Sequence, residues 1–164
     1  MDEPTSIDVD AAVEALLQLP IGDALGRDKL GRLADVGRLV DVPAGAALFT
    51  PGDLAEVLHV VLAGRVSLTL EAPGRAPTTM VALSRGDVVG WSALASGAEG
   101  TRWTMTARAT KPCRCLQIPG ASLRELCERD HELGFRMMRY AFEVVAQRLE
   151  DSRVQYVDLY GETP

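Results

Sequence analysis

The chain has 164 residues, 47% hydrophobic but only 5% aromatic, which suits one domain with an aliphatic core. Seventeen Lys and Arg against 23 Asp and Glu leave a net charge of −6, and no basic run offsets it, so no nucleic-acid partner is expected. The first ten residues are acidic, the reverse of a secretory leader, no apolar run reaches the ~18–20 residues of a membrane span, and three cysteines suit a reducing compartment; the chain reads as cytoplasmic, with no membrane partner.

Residues 1–8 read as a tail. Residues 10–19 read as a helix with Val13, Leu16 and Leu17 on one face, ended by Pro20. A second helix, 28–36, starts on the N-cap Asp28, places Leu30 and Leu33 three apart and closes at Gly37. From 38 to 119 turn signals recur about every 6–12 residues: Pro43 to Gly45, Pro51-Gly52, Ala63-Gly64, Ala72 to Gly74, Gly86-Asp87, 97–100 and Lys111-Pro112. The short runs between them predict a sandwich, jelly roll or barrel. The apolar run 58–62 stops at Ala63-Gly64, and Val66, Leu68 and Leu70 resume in alternation, which predicts a hairpin turning there. Residues 71–77 predict the loop of a longer hairpin.

After Pro119-Gly120 the pattern turns helical. A short helix is expected over 121–129, with Leu123, Leu126 and Cys127 on one face, and a long one over 132–159. Phe135, Met138, Phe142, Val145, Leu149, Ser152, Tyr156 and Leu159 alternate spacings of three and four, a heptad seam. One reading packs this helix on its own β-domain. However, a helix of about 28 residues is near 42 Å long, more than such a domain is wide. Pairing with a second copy, a homodimer through the C-terminal helix, is therefore expected. Ser152 adds a hydroxyl that sets register in such a seam.

The order Phe-x-x-Gly-Asp-x-Ala-x-x-Leu-His-x-Val-Leu-x-Gly-x-Val over 49–66 resembles the opening of a cyclic-nucleotide-binding domain. The resemblance implies a mainly β fold, a double-stranded β-helix or jelly-roll-like β-roll. It divides a domain of 9–164 into N-terminal helices (9–37), the roll (38–119) and C-terminal helices (121–160). In bacterial catabolite-activator-type regulators the last helix is also the dimer interface. Arg148-Leu149 and Ser152 look like the stretch whose hydroxyls meet the nucleotide base there, although Arg153 follows where a second hydroxyl is usual.

Residues 86–109 lie where that family carries its phosphate-binding cassette: a Gly-Glu pair, a short helix, then Arg followed by Ser or Thr. A helix N-terminus and an arginine fork suit a phosphate. Gly90 keeps the glycine place, Trp91 replaces the glutamate, and Ser92, Ala93 and Leu94 would start the helix. Arg102 is the candidate phosphate arginine, but counting back from 113–118 puts Trp103 at that place and Thr104 or Trp103 at the next. The candidate pocket is thus Gly90, Trp91, Ser92, Ala93, Arg102, Trp103, Thr104 and Ser152. An indole has only a donor and cannot accept from a ribose hydroxyl. Either the two indoles fill the old pocket, or a ring stacks on a different ligand. Cyclic nucleotide remains the one cofactor-like ligand that the resemblance suggests.

Other constellations are ordinary. Cys113, Cys115 and Cys127 read as small buried hydrophobes, His59 as a packed core imidazole, and Arg136, Arg139, Arg148 and Arg153 as part of a solvated helix face. Two separate histidines build no multi-His metal site, and no catalytic set stands out, so no enzyme and no metal are expected. The reading is a dimeric regulatory module that takes a small ligand in the roll and signals through its last helix. The alternative is a ligand-free dimerisation or docking unit for a protein partner. The chain stops at Pro164, where the bacterial regulators add a helix-turn-helix, so direct control of DNA is not expected.

Overall fold

A computed structural model describes residues 9–71, 73–74, 76–95 and 100–160, with side chains through Arg153. Three helices open the fold: α1 (Val9–Leu17), α2 (Pro20–Leu25) and α3 (Arg27–Val36). Pro20 does more than end the first helix. It takes the first position of α2, where its missing N–H costs nothing. Leu16, Ile21, Leu25, Leu30 and Leu33 from these helices are buried together.

Six strands follow: β1 (Arg38–Val42), β2 (Ala47–Phe49), β3 (Val57–Leu70), β4 (Thr78–Ser84), β5 (Val88–Val89) and β6 (Thr106–Pro119). They form one antiparallel sheet of order β1-β6-β3-β4, with β2 added on β6 and β5 on β3. This is the expected mainly β roll with helices at both ends. The predicted hairpin at Ala63-Gly64 is not there. β3 runs through it for 14 residues, paired with β6 from Val57↔Pro119 to Thr69↔Thr106. Gly64 bends the strand without reversing it. Its φ is +93°, and a Cβ there would lie 2.2 Å from the Pro112 carbonyl oxygen. The pairing shifts register on both sides of it, as bulges do. Lys111-Pro112, read as a turn, lies inside β6 at the same bend.

The short helix α4 (Ser92–Ala95) stands after β5, and α5 (Gly120–Arg129) and α6 (His131–Tyr160) close the chain. Asp130 caps α6. Its Oδ1 accepts the Leu133 N–H at 3.0 Å, and this bond, more than nearby Arg32 and Lys29, holds the carboxyl below its ordinary pKa. Arg32–Asp130 (2.7 Å) and Lys29–Glu132 (3.2 Å) tie the start of α6 to α3.

The long helix carries two apolar stripes. Leu133, Met137 and Tyr140 are buried against the helical layer, with Val144 half-buried beyond them. Phe135, Met138, Phe142, Val145 and Leu149, the predicted seam, all face outward, with Phe142 74% exposed. Ser152 does not continue that outer stripe. It is half-buried beside Met80, Val81 and Ala82 of β4. The side chains of Tyr156 and Leu159 lie outside the described residues. Among the described residues no helix is long and apolar enough to cross a membrane.

Candidate functional site: the cavity of the roll

The segment after α4 sets the geometry. Trp103 N–H donates to the Asp53 carbonyl and Gly52 N–H to the Trp103 carbonyl, both at 2.9 Å, while Ala55 N–H donates to Thr101. The segment is thus extended beside 52–55, and neighbouring side chains point to opposite sides. Trp103 turns inward and is buried. Its ring stacks on Phe49 with centroids 3.9 Å apart and planes 13° apart, and Ala55 and Ala93 pack around it. Arg102 turns outward, is exposed, and donates to the Gly52 carbonyl.

Gly90 precedes Trp91 with φ +97°, and a Cβ on it would lie 2.5 Å from the Val57 carbonyl oxygen. The glycine place of the cassette is therefore required by β3 itself, whatever the roll binds. Trp91 stands edge-on to Tyr140 of α6, with ring centroids 5.7 Å apart, and its indole N–H is buried without a partner.

A cavity of about 140 Å³ lies between these parts. Phe49, Leu68, Val89, Gly90, Trp91, Ser92, Trp103, Thr104, Met105 and Arg148 line it. Of the sequence candidates, Gly90, Trp91, Ser92, Trp103 and Thr104 meet there. Ala93 is buried behind Trp103, and Arg102 and Ser152 stand outside the lining.

Arg148 was read as part of a solvated face. It is instead the one charged residue of the lining among the described residues, and it donates to the Val88 carbonyl of β5. Burial lowers its pKa, opposed by Asp87 and then Tyr140. No described carboxylate forms an ion pair with it. The signal that finds it is the inner stripe: Leu133, Met137, Tyr140 and Val144 run on at spacings of three and four to Arg148.

His59, whose ring centroid is 6.4 Å from that of Phe49, is 2% exposed. Arg38 Nε donates to Gln117 Oε1, which orients the amide so that Gln117 Nε2 donates to His59 Nε2 at 3.0 Å. The ring proton then sits on Nδ1, which is buried and unpartnered. Burial, with Arg38 adding to it, pushes the His59 pKa down to about 4. Burial also raises Cys115 to about 12, so its thiol is unreactive. Among the described residues no group of three or more His, Cys, Asp or Glu stands ready for a metal.

The chain belongs to the cyclic nucleotide-binding domain family, whose model matches residues 39–130, more than half of its length. Among solved structures it is similar to one from Geobacter metallireducens GS-15, named as a cyclic nucleotide-binding protein. The two share 28% identity at a TM-score of 0.70, over 91% of this chain and 99% of that one. A cyclic nucleotide-binding domain from Methylobacillus flagellatus shares the fold at a TM-score of 0.75 and 17% identity, over 92% of this chain and 83% of that one. So does the sensor domain of the transcriptional regulator DNR from Pseudomonas aeruginosa, at 0.70 and 15%, over 87% and 93%. No curated protein matches the sequence.

Proposed function

We propose that this chain is a homodimeric regulatory module, in which two copies pair along α6 and a small ligand in the roll cavity is sensed through the same helix. One observation carries the reading. α6 turns an exposed stripe of Phe135, Met138, Phe142, Val145 and Leu149 outward, and from another face sends Arg148 into the wall of the roll cavity. Five large apolar side chains in heptad spacing on a free face match a coiled-coil seam. The groove beside that stripe, walled by Trp91, Met138, Phe142 and Val145, shares Trp91 with the cavity, so ligand and pairing surfaces have a side chain in common. The fold shared with the sensor domain of a transcriptional regulator supports a sensing role.

Sedimentation at about tens of micromolar, chosen to exceed ordinary dimer affinities, tests the pairing. The wild type is expected to sediment as a dimer. Phe142→Glu with Leu149→Glu is expected to sediment as a monomer with unchanged circular dichroism, since both positions are exposed in the single chain. A monomeric wild type would overturn the reading.

A further inference from the structure

We propose that the roll cavity takes a single-ring aromatic carboxylate, its ring beside the Trp103–Phe49 pair and its carboxylate on Arg148. This rests on the reading of the roll as a ligand site and names the class of ligand. Size comes first. At about 140 Å³ the cavity is close to the ~150 Å³ that holds a benzene, and far below the ~300–1,000 Å³ of sites for drug-sized molecules. One aromatic ring matches that space.

Shape and polarity agree. Phe49, Leu68, Val89, Trp103 and Met105 make the wall mostly apolar, and the stacked Phe49 and Trp103 rings are both part of it. The charged lining is all of one sign. Arg148 is there, without an ion pair, and no described Asp or Glu lines the cavity to accept from a sugar hydroxyl. The Val88 carbonyl takes one hydrogen bond of a guanidinium that has five donors. A carboxylate is the planar, bidentate partner that such a fork matches. The buried, unpartnered indole N–H of Trp91 belongs to the same wall and is a second donor in want of an acceptor.

The chain's two tryptophans, Trp91 and Trp103, both line the cavity, so all of its tryptophan emission reports on occupancy. The full chain is titrated with benzoate, benzyl alcohol and cyclic AMP. Benzoate is expected to give a saturable change in emission, and benzyl alcohol to bind at least about tenfold more weakly for want of the charge-assisted pair. Arg148→Met is expected to weaken benzoate at least about tenfold, with benzyl alcohol changed no more than about twofold and the dichroism unaltered. Arg148→Lys, which keeps the charge but not the fork, should fall between. No saturable response to benzoate, equal affinity for benzyl alcohol, or benzoate binding indifferent to Arg148→Met each overturns the proposal. If cyclic AMP saturates and benzoate does not, the ligand class is wrong while the roll remains a ligand site. If neither binds and the chain still sediments as a dimer, the ligand class falls and the pairing stands.

Discussion

The two halves of the long strands β3 and β6 meet the same partner across the sheet but very different surroundings. From Leu58 to Val61 every residue of β3 is buried, with Leu58 and Val60 under the helices and Val61 in the roll. Beyond Gly64 only alternate residues are buried: Val66 and Leu68 are inside, and Leu70 is 43% exposed. β6 mirrors this, with Cys115, Leu116 and Ile118 buried at one end and Ala107 alternating with exposed Arg108 at the other. A strand covered on both faces reads as a continuous apolar run, and one covered on a single face reads as alternation. One pair of strands here does both, and the change falls at the bend. The side chains inside the second half are also smaller, with Ala107 and Ala109 on β6, at the end of the roll where Leu68 and Met105 line the cavity.

The contrast is open to direct tests. Leu58→Ala, in the doubly covered half, is expected to cost roughly 2–5 kcal/mol by urea unfolding. A cost under about 1 kcal/mol would show that the helices do not seal this half. His59 lies in the same half and gives it a pH dependence. Its pKa is about 4 folded against 6.5 for an ordinary imidazole, so above pH 6.5 both states are neutral and stability is full. As pH falls from 6.5 to 4 the unfolded chain takes up the proton first, and stability declines by up to about 3 kcal/mol. His59→Phe should flatten that slope in this window, and a slope that survives the substitution would assign it to other groups.

At the cavity end, cyclic AMP is expected to bind weakly. Trp91 supplies no acceptor for the ribose, a loss of about 1.5–3 kcal/mol, or roughly ten- to hundredfold in affinity. Trp91→Glu alone should not restore it, because Arg102 points away from the cavity. Sub-micromolar cyclic AMP binding by the wild type in a calorimetric titration would overturn this. The smallest effect is expected on the outer face of the second half, where Leu70→Ser should change stability by no more than about 0.5 kcal/mol.

Much of the fold was legible because its signals are local. Gly52 and the core positions of 49–66, the helices α1, α3, α5 and α6, and the start of α4 at Ser92 are all set by nearest neighbours. The bend at Gly64 was not, because a glycine needed for close approach of another strand looks the same in one sequence as a glycine needed for a turn. Pro20 was ambiguous for a similar reason: the residue that stops one helix begins the next. In the cassette, counting from 113–118 put Trp103 at the arginine place, and the structure turns Trp103 inward and Arg102 out. For Arg148 two sequence signals conflict: the resemblance puts Arg148-Leu149 in the stretch that meets a ligand, while its acidic neighbours suggest a solvated face. Which face of a long helix meets the roll is decided by packing from residues far away in the chain, Val88 among them.

The ion pairs at the start of α6 have a mechanical consequence. Arg32 and Lys29 fasten the helix to α3 at Asp130 and Glu132, in its first turn and cap. The helix then runs 30 residues, about 45 Å at 1.5 Å per residue. Leu133, Met137 and Tyr140, all buried, carry that anchorage about 15 Å along the helix, and Arg148 stands about 12 Å further on. The stretch that Arg148 joins to β5 is thus the continuation of a rod already fixed at its base, so its place against the roll is inherited from contacts made near Asp130.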